Sequence, residues 1–485
     1  MMKFNSILGF SLCLALFSPL PLAKDIEKIQ LPDMGDSSGA LISPAQEKEL
    51  GEAFFRQLHA QVEVNEDAEI SHYIQSVGRK LALNSDNPNQ PFYFFVVLDN
   101  TINAFAGPGG YIGVNSGLFL MTEAESELTS VMAHEIAHVT QRHLYRAFEA
   151  ASRLSIPTAA ATLAAILLGI KNPQMGQAAI MAIQAGSMQA QIDFTRDNEQ
   201  EADRIGMQTL AAANYDPRSM PLFFERLEQS TRFYGTGIPE FLRTHPVTVS
   251  RISDTRGRAE QYPYRQYPDS LTYALIKAKL RVLTQTDTAT TLRYFQLTKL
   301  QGLTEQRAVA QYGEALSYLK MQKMGLAEQG LQDLVNRYPE QPHYLTGLAR
   351  VFLEGKQYDK AVKIYQQAIK RFPNNYAIKF DYVSSLLKAG QAKAAQQVLK
   401  SLANVKQEQL LYLEFMSQSY ADLNQLAQSH RYLAEYYYAI GQTETAILQI
   451  KLAQKMRPLD SYLAEVLEER LRFFILEAKQ QREER

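Results

Sequence analysis

A chain of 485 residues with 46 % hydrophobic and 21 % charged side chains carries enough apolar material for two or three ordinary globular cores. Its formal net charge of −1 offers no basic surplus for nucleic acid, and no acidic block marks a disordered tail. One cysteine, Cys13, is all there is, so a chain processed beyond it has no disulfides, no thiolate catalysis and no cysteine-based metal site.

Lys3, the apolar stretch Ile7–Phe17, Pro19, Pro21 and the small Ala23 read as a secretory signal over residues 1–23, cut after Ala23. The apolar run is shorter than the roughly 20 residues that span a bilayer. Its prolines and short basic start suit bacterial export, with the periplasm as destination. Residues 24–45 read as an extended polar segment. Helical patterning follows through Leu50, Phe54 and Leu58, then Ile70, Ile74, Val77 and Leu81. Phe92–Leu98 reads as a strand. Asn103–Val114, broken by Gly107-Pro108-Gly109-Gly110, reads as a hairpin, and Glu123–Phe148 as strongly helical. The alanine- and leucine-rich run 156–170 falls short of the roughly 18 apolar residues of a spanning helix and reads as buried or interfacial. No spanning helix is expected in the mature chain. Helix returns at Asn198–Ala213.

From about residue 270 prolines thin out and an internal repeat begins. Ala327 precedes Pro339 by twelve residues and Ala361 precedes Pro373 by twelve, the two units lying 34 residues apart. Gly441, Ala446 and Pro458 repeat the step, and a weaker unit surrounds Gly390 and Ala395. Paired helices that cannot bury their apolar faces alone stack on their neighbours. The small alanine permits close approach, and the proline ends each second helix. The spacing resembles tetratricopeptide repeats, implying an all-α superhelix over 270–485.

The chemistry centres on His134-Glu135-Ile136-Ala137-His138. Positions i and i+4 share a helix face, so both imidazoles reach one ion, and Glu135 stands beside them to take a proton from the attacking water. Leu128, Val131, Met132 and Val139 predict a buried helix, where two histidines and a glutamate without a metal would be costly. Zinc then needs a third protein ligand. Gln141 and Leu144 stand where a metzincin has glycine and histidine. His143 falls off the two-histidine face and reads as solvated. Asn198-Glu199-Gln200-Glu201-Ala202-Asp203 offers Glu199 as third ligand, with Asp203 one turn on to accept a hydrogen bond from a ligand histidine. Glu201 lies about 200° around the helix from Glu199 and is not expected to share the metal.

H-E-x-x-H followed by N-E-x-E-A-D resembles the HtpX and CAAX-prenyl-protease class of zinc peptidases and their soluble relatives. That pattern carries ligands onto His134, His138 and Glu199, the base onto Glu135 and the supporting acid onto Asp203. With a signal, Leu31-Pro32-Asp33-Met34-Gly35 and C-terminal repeats, the whole chain resembles the periplasmic β-barrel assembly-enhancing group. The implied class is α+β: a mostly helical gluzincin-type zinc peptidase domain with a small sheet over 24–265, then the repeat solenoid. The resemblance further implies one Zn2+ per chain, unfolded or misassembled outer-membrane proteins as substrates, and the barrel-assembly machinery as partner.

Two local expectations follow. Asn103, Ala104, Phe105 and Ala106 form an edge able to pair with substrate backbone. His245, held extended by Pro246, and Arg251 after it resemble a His-Pro and arginine pattern of this peptidase class. His245 then serves as oxyanion donor or as a latch on zinc's open position, against the plainer reading of a surface histidine. Two rival functions stay open: an assembly factor or chaperone with secondary proteolysis, and a repeat adaptor with a structural metal, which would need no adjacent base.

Overall fold

Ser43 starts α1 (Pro44–His59) with a capping box, its hydroxyl accepting from the Gln46 amide while the Gln46 side chain accepts from Ser43. The computed structural model describes residues 43–148, 188–233, 239–268, 270–405 and 409–483. The signal at 1–23, most of the extended segment after it, and the apolar run 156–170 lie outside the described residues.

Asp67 caps α2 (Ala68–Ala82), accepting from the amides of Glu69 and Ile70. A three-stranded sheet of order β1-β3-β2 follows. β1 (Tyr93–Val97) runs parallel to β3 (Tyr111–Asn115), and β2 (Ala104–Ala106) pairs antiparallel with β3, Ala104 opposite Val114 and Ala106 opposite Ile112. The Gly-Pro-Gly-Gly turn joins β2 to β3 as a hairpin. After α3 (Ser116–Met121) comes α4 (Glu125–Thr140), packed between the sheet, α2 and two later helices. The helical stretch to Phe148 is divided into two helices. Arg142 adopts a left-handed φ of 56°, ending α4 and starting α5 (His143–Phe148) in a new direction. No glycine or proline announces this break.

α6 (Met188–Ala212) lies along α4, and α7 (Ser219–Phe233), the short α8 (Glu240–Thr244) and α9 (Val249–Ala259) complete the first unit. Its core joins Ile70, Ile74, Val96, Val114, Val131, Ile136, Leu210 and Phe223. α10 (Leu271–Thr284) belongs to two cores: Tyr273, Ile276 and Leu280 pack into the first, Leu275, Ala278 and Val282 into the next.

The remaining helices stack in sequence: α11 (Thr288–Gln301), α12 (Thr304–Lys320), α13 (Met324–Arg337), α14 (Pro342–Glu354), α15 (Tyr358–Arg371), α16 (Tyr376–Lys388), α17 (Ala392–Lys400), α18 (Gln409–Asp422), α19 (Leu426–Ala439), α20 (Thr443–Lys455) and α21 (Ser461–Glu483). Ala327, Ala361, Ala395 and Ala446 are each fully buried early in their helices, where a larger side chain would force neighbours apart. The turns share one conformation. Gln322, Lys356, Gly390 and Asn424 have positive φ at intervals of 34 residues, and Gly441 falls half a repeat later. The stack curls back onto the first unit. α16 packs on α2, and Arg56 of α1 lies over the Tyr438 ring at 4.7 Å. Gly441 has φ 79°, and a Cβ there would sit 2.6 Å from the Arg56 carbonyl oxygen. Among the described residues no helix is long and apolar enough to cross a membrane.

Candidate metal centre

α4 is buried along most of its length because sheet and helices cover it on several sides, which leaves His134 and Glu135 at 1 % and 0 % exposure. Four-residue spacing turns His134 and His138 to one face, their Nε2 atoms 3.0 Å apart. α6 approaches α4 closely through small residues. Ala202 is fully buried, and a Cβ at Gly206 would stand 3.0 Å from the Ala133 carbonyl and the His134 backbone. This brings Glu199 within 3.4 Å of both histidines, Oε2 to His134 Nε2 and Oε1 to His138 Nε2. Asp203, one turn on, reaches behind His134, its Oδ1 3.0 Å from Nδ1.

α8 supplies a fourth donor. The Phe241 amide donates to the Ile102 carbonyl, seating α8 beside the strand β2, and the His245 amide donates to the Phe241 carbonyl at 2.7 Å. His245 Nδ1 then lies 2.9 Å from Glu199 Oε1 and 3.4 Å from His134 Nε2, while Nε2 stands 3.6 Å from Glu135 Oε1. Arg251 is 2 % exposed and fully engaged: Nε and Nη2 donate to the two Asp203 oxygens at 2.7 Å each, while Nη1 reaches Glu199 Oε2 at 2.8 Å and the Pro246 carbonyl at 2.9 Å. One guanidinium thus ties together the carboxylates of α6 and the loop bearing His245.

The donor set fits a tetrahedral cation. One ligand atom each from His134, His138, Glu199 and His245 lies within 4.8 Å of the others. Zinc–nitrogen bonds of about 2.0–2.1 Å make the edge of a tetrahedron about 3.3 Å. His134 lies 3.0 Å from His138 and 3.4 Å from His245, and these three rings lie 2.9 to 3.4 Å from one or other Glu199 oxygen, close to that edge. Facing Nε2 lone pairs 3.0 Å apart repel unless a cation or proton lies between them. Burial works against charging these imidazoles, and His138 is pulled down to about 3. His134 is also opposed by burial, but its Asp203 and Glu199 hydrogen bonds override that and raise it to about 9. A metal bound there would take the place of that proton. Burial alone would raise Glu199, yet His245, His134 and His138 hold its carboxyl far below the usual range.

Glu135 is different. Among the described residues neither carboxylate oxygen has a side-chain hydrogen-bond partner, and burial pushes its pKa up, with His245, His134 and the Ala106 backbone amide opposing. A carboxyl so placed favours accepting a proton. The Ala106 amide belongs to β2, whose second edge has no strand partner among the described residues. Asn103, Ala104 and Phe105 are buried around it.

His143 departs from expectation. It is 4 % exposed rather than solvated, with Nδ1 2.9 Å from His138 Nδ1 and Nε2 3.1 Å from Glu201 Oε2. On a continuous helix it would point away, but the left-handed Arg142 swings it behind His138. Glu201 stays off the donor cluster. The sequence pattern gives no site role to His143, Glu201 or the close contact at Gly206. The only local hint is a histidine five residues beyond the motif.

The model of peptidase family M48 matches residues 69–259, and two tetratricopeptide-repeat models match 312–376 and 352–419. The beta-barrel assembly-enhancing protease of Escherichia coli K12 is 34 % identical over 431 residues, covering 89 % of this chain and 88 % of that one. A Vibrio cholerae protein given that name provisionally is 42 % identical over 340 residues, 70 % of each chain. Similarity extends to the mitochondrial metalloendopeptidase OMA1 of Schizosaccharomyces pombe, 29 % identical over 180 residues, 37 % of this chain and 50 % of that one.

Proposed function

The chain belongs to the beta-barrel assembly-enhancing protease family, with an M48 peptidase domain, and from that premise we propose how its own residues divide the work of a zinc endopeptidase. His134, His138 and Glu199 hold one Zn2+, and Asp203 fixes the His134 tautomer. Bound zinc supplies Lewis acidity, polarising the scissile carbonyl and acidifying water. Glu135 takes the proton of the attacking water and returns it to the leaving amine. The free edge of β2 pairs with substrate backbone, presenting the scissile bond near Glu135. The observation that carries this reading is the convergence of four donors beside a fully buried carboxylate with no side-chain hydrogen-bond partner.

His245 as fourth donor describes a resting state. A catalytic zinc site keeps a position open for water or substrate, so the His245 loop must withdraw for turnover. Arg251 acts as a clamp on this loop and on α6, because its donors already meet Asp203, Glu199 and Pro246.

Substrates are unfolded or misassembled outer-membrane proteins met in the periplasm, with the repeat superhelix docking clients or the barrel-assembly machinery. The family name and the secretory pattern of residues 1–23 support this. An assembly role independent of proteolysis is the second reading, favoured by the extensive packing of α16 and α10 on the peptidase unit. Elemental analysis should find about one zinc per chain. Glu135→Gln should keep that zinc and lose cleavage by about 10²–10⁴-fold; undiminished cleavage removes Glu135 as the base. Rescue of barrel assembly by Glu135→Gln equal to wild type would favour the assembly reading.

A further inference from the structure

We propose that His143 and Glu201 form a positioning relay that fixes the tautomer of His138 and thereby sets how tightly the centre holds its metal. The proposal rests on the zinc reading above.

Two ring nitrogens 2.9 Å apart, His138 Nδ1 and His143 Nδ1, leave room for one proton between them. Which ring supplies it is decided at the far end. His143 Nε2 faces Glu201 Oε2 at 3.1 Å, and Arg146 Nη1 lies 3.3 Å from the same oxygen. A carboxylate accepts only, so Nε2 of His143 carries its proton and Nδ1 presents a lone pair. His138 must then donate from Nδ1, which leaves the Nε2 lone pair directed at His134, Glu199 and His245. One proton arrangement satisfies every contact. Reversing the His143 tautomer would set a lone pair against Glu201 and an N–H against His138.

The two ligand histidines are thus anchored unequally. His134 meets the Asp203 carboxylate directly at 3.0 Å, whereas His138 feels Glu201 only through a neutral ring. Outer partners of this kind orient a ligand ring and raise its basicity. The helix break at Arg142 delivers the second anchor, since it turns His143 inward at 4 % exposure.

The test is competition between the full mature chain and a calibrated zinc chelator, read as metal affinity without reference to turnover. His143→Ala should weaken zinc by about 10–100-fold. His143→Gln, whose amide oxygen accepts from His138 Nδ1, should recover part of that loss. Glu201→Gln, nearly isosteric and still an acceptor, should weaken zinc less than His143→Ala does, and combining it with His143→Ala should add little because the relay is already cut. A His143→Ala chain that binds zinc as wild type does overturns the relay. Equal weakening by alanine and glutamine also overturns it, assigning His143 to packing. Should His143→Ala fail to fold, Glu201→Leu decides, because it removes the acceptor facing His143 Nε2: affinity unchanged from wild type overturns the proposal. A wild-type chain that takes up no zinc instead sinks the zinc reading itself.

Discussion

His245 Nδ1 stands 2.9 Å from Glu199 Oε1, so a loop residue 46 positions away in sequence completes the donor cluster. Removing that ring should open the centre. His245→Ala is expected to retain zinc through the three other donors and to raise turnover of an unfolded substrate. A gain of about tenfold corresponds to an open state populated about a tenth of the time in wild type. Steady-state kinetics with parallel zinc analysis measures both quantities. A fall in turnover with zinc retained would assign His245 to stabilising the oxyanion instead.

Arg251 and Asp203 form a bidentate pair with both partners almost fully buried. Breaking such a pair strands a carboxylate and costs about 3–5 kcal/mol. Arg251→Ala should lower the urea midpoint accordingly and weaken zinc, because Asp203 no longer holds His134. Arg251→Lys should rescue little, since an ammonium lacks the planar fork. A lysine variant as stable as wild type would argue against the clamp.

Gly206 sets how closely α6 approaches the ligand helix. A Cβ there meets backbone atoms of Ala133 and His134 at 3.0 Å, and backbone cannot rotate away. Gly206→Leu should push α6 outward, carry Glu199 off the histidines and cost about 1–3 kcal/mol from overpacking. Zinc stoichiometry well below one, with helical content preserved by circular dichroism, is the expected result. Full zinc occupancy would show that the helices yield without moving the ligands.

The parts of this molecule legible in sequence are those whose signal is local. His134 and His138 share a face because of helix geometry alone, and Glu199 and Asp203 repeat that spacing on α6. Ala327, Ala361, Ala395 and Ala446 mark the repeat because each helical pair poses the same packing problem. What escaped depends on tertiary context. Arg142 takes a left-handed conformation that glycine or asparagine usually signals, so the break that turns His143 inward had no flag. The turns of the repeat behave alike: Gln322 and Lys356 adopt positive φ without glycine, while Gly355, beside Lys356, has φ −75°. The change of character near residue 270 places α10 with the repeats, yet its Tyr273, Ile276 and Leu280 lie in the peptidase core, a partition that helical periodicity alone does not reveal.

Lys279 of α10 joins the two units through charge as well as packing. Its Nζ lies 2.7 Å from Asp67 Oδ1 and 2.6 Å from Glu69 Oε2, while Arg350 reaches the second Asp67 oxygen at 2.8 Å and Thr346 bonds Glu69. The side chains of Lys279, Asp67 and Glu69 are only 9 %, 11 % and 7 % exposed. Burial would raise the Glu69 carboxyl, but Lys279 outweighs it and holds the group below its usual 4.5. The folded-state value is therefore the lower one. The contribution of Glu69 is complete above about pH 4.5 and is lost as pH falls through the folded-state value. Asp67 behaves alike, its burial overcome by Lys279 and Arg350. Lys279→Met leaves both carboxylates buried with less positive charge and should cost about 3–5 kcal/mol at pH 7. In acid the carboxylates protonate and lose their need for lysine, so the gap to wild type should narrow toward pH 3. Urea unfolding of the full chain at both pH values reads the difference, and a gap unchanged between them would show that Lys279 acts through packing rather than charge.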